Sequence, residues 1–391
     1  MRCGAKEHKS MKVKNKLVEF IKRETVLTVA VLLAIVSAVM IPPDGEYAGY
    51  IDFRTLSVLF CLMTVMAGLQ KLGVFRNIAK TLLRHTQNTM QLVEVLVLLC
   101  FFFSMIITND VALITFVPFT FIVLRLSGED SVKKLAVPVI VLQTIAANLG
   151  SMLTPIGNPQ NLYLYGKARM DAGSFVLLML PYSLLSLFLL VSCGAIVAKR
   201  SGIEVRGTDV SLPEDERVEQ KKYLLPGYLL LFALCLLTVA HIVPYPLTLG
   251  IVILMVLILD RETMGKVDYS LLLTFVGFFI FIGNMGRMPA FCEFLQKIIG
   301  GREVMTAVIA SQVISNVPAA LLLSGFTENI TALIIGTNLG GLGTLIASMA
   351  SLISYKQVVR QIPGEKKKYF GWFTLANIVF LVILVLENCL L

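Results

Sequence analysis

Inside a membrane, a chain can carry a polar, helix-breaking stretch only where protein buries it or where it lines a watery cavity. This chain carries two such sets, in the same order. The first is Ile107-Thr108-Asn109-Asp110-Val111, followed by Ala147-Asn148-Leu149-Gly150-Ser151 and then Pro155, Gly157, Asn158 and Pro159. The second is Ile314-Ser315-Asn316-Val317-Pro318, followed by Thr337-Asn338-Leu339-Gly340-Gly341-Leu342-Gly343-Thr344. Both sets interrupt strongly apolar sequence. Matched breaks of this kind point to a solute site at the interface of two repeats.

Composition identifies the surroundings as lipid. Of 391 residues, 57% are hydrophobic and only 15% charged, whereas soluble domains run at about 45–50% apolar. The net charge of +9 does not signal nucleic acid, because the Lys and Arg residues fall between apolar runs, as in cytoplasmic loops facing anionic lipid. Seven cysteines, at 3, 61, 100, 193, 235, 292 and 389, include no Cys-x-x-Cys pair and read as packing residues. Eight Lys or Arg precede residue 25, and the apolar run from Val26 to Ile41 has no small-residue cleavage site near Pro42-Pro43. That pattern is a retained first span with its basic end inside. The expected setting is a bacterial or archaeal plasma membrane with a cytoplasmic N-terminus.

Spans of about 20 apolar residues are expected at 25–43, 53–71, 174–198, 224–243, 245–260, 269–287 and 370–391. Two interrupted spans are expected at 135–165 and 329–355. Segments 90–126 and 303–326 read as re-entrant helical hairpins with Thr108-Asn109-Asp110 and Ser315-Asn316 at their tips. This predicts an all-α polytopic protein with about nine full spans and two hairpins. With the N-terminus inside, the inside segments hold eight basic residues before residue 25, four in 71–90, three in 125–134, six in 199–222, two in 261–266 and five in 356–368. That places 28 of the 34 inside, the asymmetry that topology demands.

Crossing parity makes the first hairpin open from inside and the second from outside, so the two halves have inverted topology. The expected organisation is a basic tail (1–24), a first repeat (25–198), a polar linker (199–223), a linker span (224–243) and a second repeat (244–391).

Asn109 and Asn316 each begin the second arm of a hairpin. Asn caps helix N-termini, and two such termini at mid-depth would offer free donors and partial positive charge to an anion. The plainer alternative is that both only cap buried helices. Asp110 is the one acid placed at a tip; a charge at that depth costs roughly 2.5–3.5 kcal/mol on insertion scales. It would ligate a cation such as Na⁺ or carry a coupled proton, or else serve as a first-turn helix-dipole carboxylate. The second half has Val317 there. Unwound carbonyls at Gly150 and Gly157, with Asn148, Ser151, Thr154 and Asn158, make a hard-oxygen set suited to Na⁺, which would share Asn109 and Asp110. The second break, with Thr337 and Asn338, has no proline, and Gly336-x-x-x-Gly340 also fits helix packing.

Three scattered histidines give no metal site, the Gly-rich run 340–344 lacks a phosphate-loop ending, and no catalytic constellation is visible, so no enzyme is expected. No cofactor is expected beyond Na⁺ as a coupling ion.

The motifs 108–110, 148–150, 154–159, 315–318 and 336–340 resemble those of the ion transporter superfamily, which includes citrate and dicarboxylate carriers, arsenite permeases and some sodium/proton antiporters. The likeness runs from about residue 25 to 391. In the dicarboxylate carriers both tips read Ser-Asn-Thr and bind carboxylates, while flanking breaks hold Na⁺. Thr-Asn-Asp and Ser-Asn-Val look more like the arsenite-permease and citrate-metal branches. The resemblance implies a secondary carrier, and for the dicarboxylate branch a homodimer with an elevator-like motion.

The leading expectation is a proton- or sodium-coupled carrier of a small anion. Thr108, Asn109, Asn158, Ser315, Asn316, Thr337 and Asn338 would meet the solute; Asp110 and the 148–157 break would serve the ion. The alternatives are an arsenite or antimonite efflux permease, a sodium/proton antiporter and a passive channel.

Overall fold

The computed structural model describes residues 24–204 and 222–391. The basic tail before Glu24 and most of the polar linker lie outside the described residues. Every regular element among those residues is helical, and seven helices are long and apolar enough to cross a membrane. The chain is an all-α polytopic membrane protein.

The helices are α1 (Thr25–Met40), α2 (Tyr47–Tyr50), α3 (Phe53–Lys71), α4 (Val74–Leu83), α5 (Thr89–Ile107), α6 (Asn109–Leu126), α7 (Glu129–Ser151), α8 (Pro159–Ala168) and α9 (Ala172–Ser201). After the linker come α10 (Leu225–Val239), α11 (Tyr245–Leu259), α12 (Tyr269–Gly286), α13 (Pro289–Ile299), α14 (Glu303–Ile314), α15 (Asn316–Ser324), α16 (Ile330–Leu339), α17 (Met349–Gln361) and α18 (Lys366–Leu390). Side-chain caps fix many of the starts: Asp52, Asn88, Asn158, Asp171, Asp268 and Asn329 each accept from a first-turn N–H, which satisfies a donor the helix leaves open.

The expected spans appear in place, three of them short. Helix α1 has 16 residues and α10 and α11 have 15 each, against about 20 for a full crossing. The Pro42-Pro43 pair follows the end of α1, and a turn through His241, at φ 63°, separates α10 from α11. Helices α4 and α13, of 10 and 11 residues, were not anticipated. Both are too short to cross. Helix α4 buries Phe75, Ala79 and Leu83 while leaving Ile78 and Leu82 exposed, the pattern of an interfacial amphipathic helix.

Helix α1 packs on α12, and α3 packs on α10 and α11. This group meets the remainder through α3 with α8 and α12 with α15. Within the remainder the halves interlock: α8 packs against α15 and α16, and α17 packs against α6 and α7. Each helix that follows a break is thus held by the hairpin arm and pre-break helix of the other half.

Both tips are buried inside the protein, with Asn109 and Asn316 each 5% exposed. The Thr89 hydroxyl, at the start of α5, donates to Ile203 O just past the end of α9, so hairpin 1 opens on the face where α9 ends. Helix α9 has 30 residues, about 45 Å, and α5, with 19 residues, covers about 28 Å of that length. Helix α8 covers the rest, with 10 residues, about 15 Å. The arms of hairpin 2, of 12 and 9 residues, are shorter than a 30 Å core by any reckoning.

Helix α17 leads from the second break back to the first face, where Arg125 Nη2 donates to Gln361 Oε1 at 2.9 Å and Lys368 Nζ donates to Lys133 O at 3.2 Å. The base of hairpin 2, where the Thr327 hydroxyl donates to Glu303 Oε1 at 3.3 Å, lies at the other end, with Lys167 at the end of α8 in electrostatic reach of Glu328. The two hairpins open toward opposite ends of the bundle.

Candidate solute-binding site

Each hairpin turns on a single residue. Thr108 takes φ 70°, ψ 150° and Ser315 takes φ 75°, ψ 156°, a region that side chains rarely enter and that costs about 1–3 kcal/mol. The following asparagine then binds its own half's break: Asn109 N–H donates to Gly157 O at 3.2 Å and Asn316 N–H to Ala347 O at 2.9 Å. The Asn109 Oδ1 accepts from Asp110 N–H at 2.9 Å, and the Asn316 Oδ1 from Val317 N–H at 3.0 Å. Two first-turn donors at each tip are therefore engaged, and Pro318 supplies no third. The free donors expected for an anion are largely spent on the breaks and on the asparagine side chains.

A shift of 207 residues lays Ser104, Ile107, Thr108 and Asn109 on Ser311, Ile314, Ser315 and Asn316. A shift of 190 lays Asn148-Leu149-Gly150 on Asn338-Leu339-Gly340, Thr154 on Thr344, Gly157 on Ala347, Asn158 on Ser348 and Asn161 on Ser351. The hydrogen bonds obey both shifts. Thr154 Oγ1 donates to Met105 O, and Thr344 Oγ1 donates to Gln312 O, pinning each break to its own hairpin.

The centre is built from asparagines that cross between the halves. Asn148 Oδ1 accepts from Asn109 Nδ2 at 3.0 Å and from the Ser348 hydroxyl at 2.9 Å. Its amide nitrogen faces Gly341 O and Ser351 Oγ, both at 3.5 Å. In the matching place, Asn338 Nδ2 donates to Asn161 Oδ1 at 2.7 Å, and Asn158 Nδ2 donates to Asn338 Oδ1 at 3.2 Å. Ser151 joins this cluster, donating to Asn148 O at 2.9 Å and accepting from Asn158 Nδ2 at 3.1 Å. Asn316 Nδ2 lies beside Gly341, where a Cβ would come within 3.1 Å of it.

Of the residues singled out in the sequence, Asn109, Asn148, Ser151, Gly157, Asn158, Asn316 and Asn338 are thus brought together. Thr337 is not: its hydroxyl turns back on its own helix to Leu333 O at 2.7 Å. The Ser315 hydroxyl reaches toward Ala347 O at 3.4 Å and Asn316 Oδ1 at 3.5 Å. Gly150 serves packing, since a Cβ there would meet Phe101 O at 2.0 Å. The second break is both open and packed. Helix α16 stops at Leu339, while Gly336 has Val304 O 2.6 Å from where a Cβ would stand. Asn161, Gly341, Ser348 and Ser351 were missed in the sequence; the 190-residue shift carries the signal that finds them.

A family model for citrate transporters matches residues 17–330. The chain belongs to the citrate transporter family. It is 32% identical over 308 residues to an uncharacterized transporter of Methanocaldococcus jannaschii, covering 78% of this chain and 81% of the relative. It is 31% identical over 352 residues to an inner membrane protein of Escherichia coli, YbiR, covering 85% and 89%. A shorter match, 33% over 142 residues, is to a silicon efflux transporter of rice and covers 36% of this chain and 28% of the relative. This citrate transporter family member is an integral membrane transporter of solutes.

Within it, the oxygens proposed for a cation differ in availability. Asn109 Oδ1, Asn148 Oδ1 and the Gly150 and Gly157 carbonyls all accept hydrogen bonds. Asp110 Oδ1 is buried with no partner. A buried carboxylate oxygen without a donor is costly unless a cation or a proton meets it. Among the described residues no group of three or more His, Cys, Asp or Glu side chains is gathered to hold a metal ion.

Proposed function

We propose that the protein is a secondary active transporter of a small anion, a carboxylate such as citrate or an inorganic anion, driven by a proton or sodium gradient. Asn109 and Asn316 contact the solute where the tips meet the breaks, and Asp110 takes the coupling ion. The observation that carries this reading is the pairing of two strained tips, at Thr108 and Ser315, around one buried asparagine cluster, with a single partnerless carboxylate oxygen at one tip only. Strain held at equivalent points is a feature of functional sites, and discontinuous helices are where secondary carriers bind solute and ion.

Exchange of hydrogen-bond partners is the step this geometry favours. An arriving carboxylate takes the asparagine Nδ2 donors that now bond Asn148 and Asn161, and the freed helix arms let hairpins and breaks move apart. Binding of the proton or Na⁺ at Asp110, which neutralises its carboxylate, is linked to that rearrangement through Asn109, whose Oδ1 holds the Asp110 N–H.

The experiment is uptake by proteoliposomes of a panel of carboxylates and inorganic anions, with and without imposed proton and sodium gradients. Saturable uptake accelerated by one gradient supports the reading; no gradient-dependent flux for any anion overturns it.

A second reading is efflux of a neutral hydroxylated metalloid such as arsenite or antimonite. Two observations favour it: the tip donors are engaged, and the asparagine and serine cluster contains no Lys, Arg or His. The partial match to a silicon efflux transporter agrees. Expression in a metalloid-sensitive bacterial strain tests it, with unchanged sensitivity despite membrane expression counting against it.

A further inference from the structure

A cavity of about 400 Å³ opens beside the end of α8, away from the asparagine cluster, and is lined by α2, the start of α3, α8 and α12. Two cationic side chains, Arg54 and Lys167, stand in its wall with the Thr55 and Tyr163 side chains. Asp52 also lines it, but its carboxylate is engaged as the cap of α3, accepting from Thr55 N–H at 2.9 Å and from the Thr55 hydroxyl. Neither Arg54 nor Lys167 forms an ion pair among the described residues; Arg54 Nη2 rests instead on His241 Nδ1 at 2.9 Å. Two cations against the single capped carboxylate of Asp52 leave the lining of this concave space net positive, which makes it attractive to anions.

The cavity leads inward along one face of α8. Lys167, Tyr163 and Gln160 fall at the spacing that aligns residues on a helix surface. Tyr163 closes the cavity: its hydroxyl is 2.9 Å from Ser324 Oγ on α15, and its ring stands 5.6 Å from that of Phe279 and 6.3 Å from that of Phe275. One turn deeper, Gln160 is 1% exposed and neither of its amide atoms has a hydrogen-bond partner. Two residues before it, Asn158 belongs to the central cluster. Buried amides are rarely left wholly unpaired, so this one marks a place where a passing polar group or water is met.

We propose that this cavity is a shallow docking site for a small oxyanion, held by Arg54 and Lys167, from which the anion passes the Tyr163–Phe279 barrier along Gln160 to the asparagine cluster. The proposal rests on the reading of the protein as an anion carrier, and its test does not depend on transport. The purified full-length protein is treated with an amine-acetylating reagent, and modification of Lys167 is followed by mass spectrometry in citrate, in phosphate and in chloride of matched ionic strength. Citrate or phosphate slows acetylation of Lys167 at least threefold, while exposed Lys297 reacts equally in all three. In R54Q the protection is lost, and in R54K much of it returns. Unchanged Lys167 labelling in both anions, or equal protection of Lys297, overturns the proposal. Protection of Lys167 by citrate in a protein that shows no citrate flux would leave the docking site standing and count against the carrier reading alone.

Discussion

Asn148 and Asn338 occupy equivalent points, each one residue before a Leu-Gly pair, and each is bonded to the other half's break. Asn148 takes the Ser348 hydroxyl at 2.9 Å, and Asn338 gives its amide to Asn161 at 2.7 Å. Neither half completes its own centre. A rearrangement of one half relative to the other would therefore break hydrogen bonds that the two halves share.

Replacing Asn148 by alanine leaves Asn109 Nδ2 and the Ser348 hydroxyl without their acceptor. Unpaired buried groups cost about 1–3 kcal/mol each, so N148A is expected to lower the unfolding midpoint in detergent clearly. A cycle with S348A should show a coupling of about 0.5–3 kcal/mol. Additive losses in N148A, S348A and the pair would mean that the bond is not formed in solution.

The strained turns give a change of opposite sign. Glycine relieves about 1–3 kcal/mol of backbone strain at such a position and costs about 0.5–1 kcal/mol in chain entropy. T108G and S315G are each expected to stabilise the folded protein by about 1 kcal/mol while reducing transport. Thermal unfolding together with initial uptake rates checks both halves of the statement; a destabilised T108G would show that the turn is held by side-chain contacts.

Gly150 has no room for a methyl group, because a Cβ would stand 2.0 Å from the Phe101 carbonyl, whereas Gly227 in α10 has nothing within 4 Å. G150A is expected to abolish folded yield by forcing α5 off α7. G227A should match the wild type or gain up to about 1 kcal/mol, as Gly-to-Ala changes inside helices do. Monodispersity on size-exclusion chromatography reads both.

Asp110 separates coupling from folding. D110N keeps the shape and removes the charge, so the protein should fold as before, with uptake lost or no longer accelerated by the ion gradient. Wild-type gradient dependence in D110N would reduce Asp110 to the first-turn carboxylate of α6.

Much of this was legible in the sequence because hairpin tips and breaks are local events. Thr108-Asn109 and Ser315-Asn316 announce themselves as polar residues in apolar runs, and Pro155, Gly157 and Pro159 cannot continue a helix. The ends of α3 and α12 followed from apolar length to within one residue, whereas α9 runs two residues earlier and three later than the expected 174–198. What was hidden depended on tertiary packing. The Asn148–Ser348 bond joins residues 200 apart in the chain, and its twin, Asn338 with Asn161, is recognisable only after the breaks are aligned at a spacing that differs from that of the hairpins. The engagement of the tip N–H groups by Gly157 and Ala347 was likewise invisible, since each carbonyl comes from a separate break. Helix α4 was masked by its Arg76 and Lys80, which made an amphipathic surface helix look like a charged connection.

The central claim is that solute is held where the two tips meet, by equivalent asparagines. Its most direct test is the initial rate of citrate uptake, or of whichever anion the panel selects, under the effective gradient for wild type, N109A and N316A reconstituted in equal amounts. Each substitution should lower kcat/KM at least about tenfold, the effect of losing about 1.4 kcal/mol of binding, with folding preserved. Wild-type kinetics in both folded variants would contradict the account.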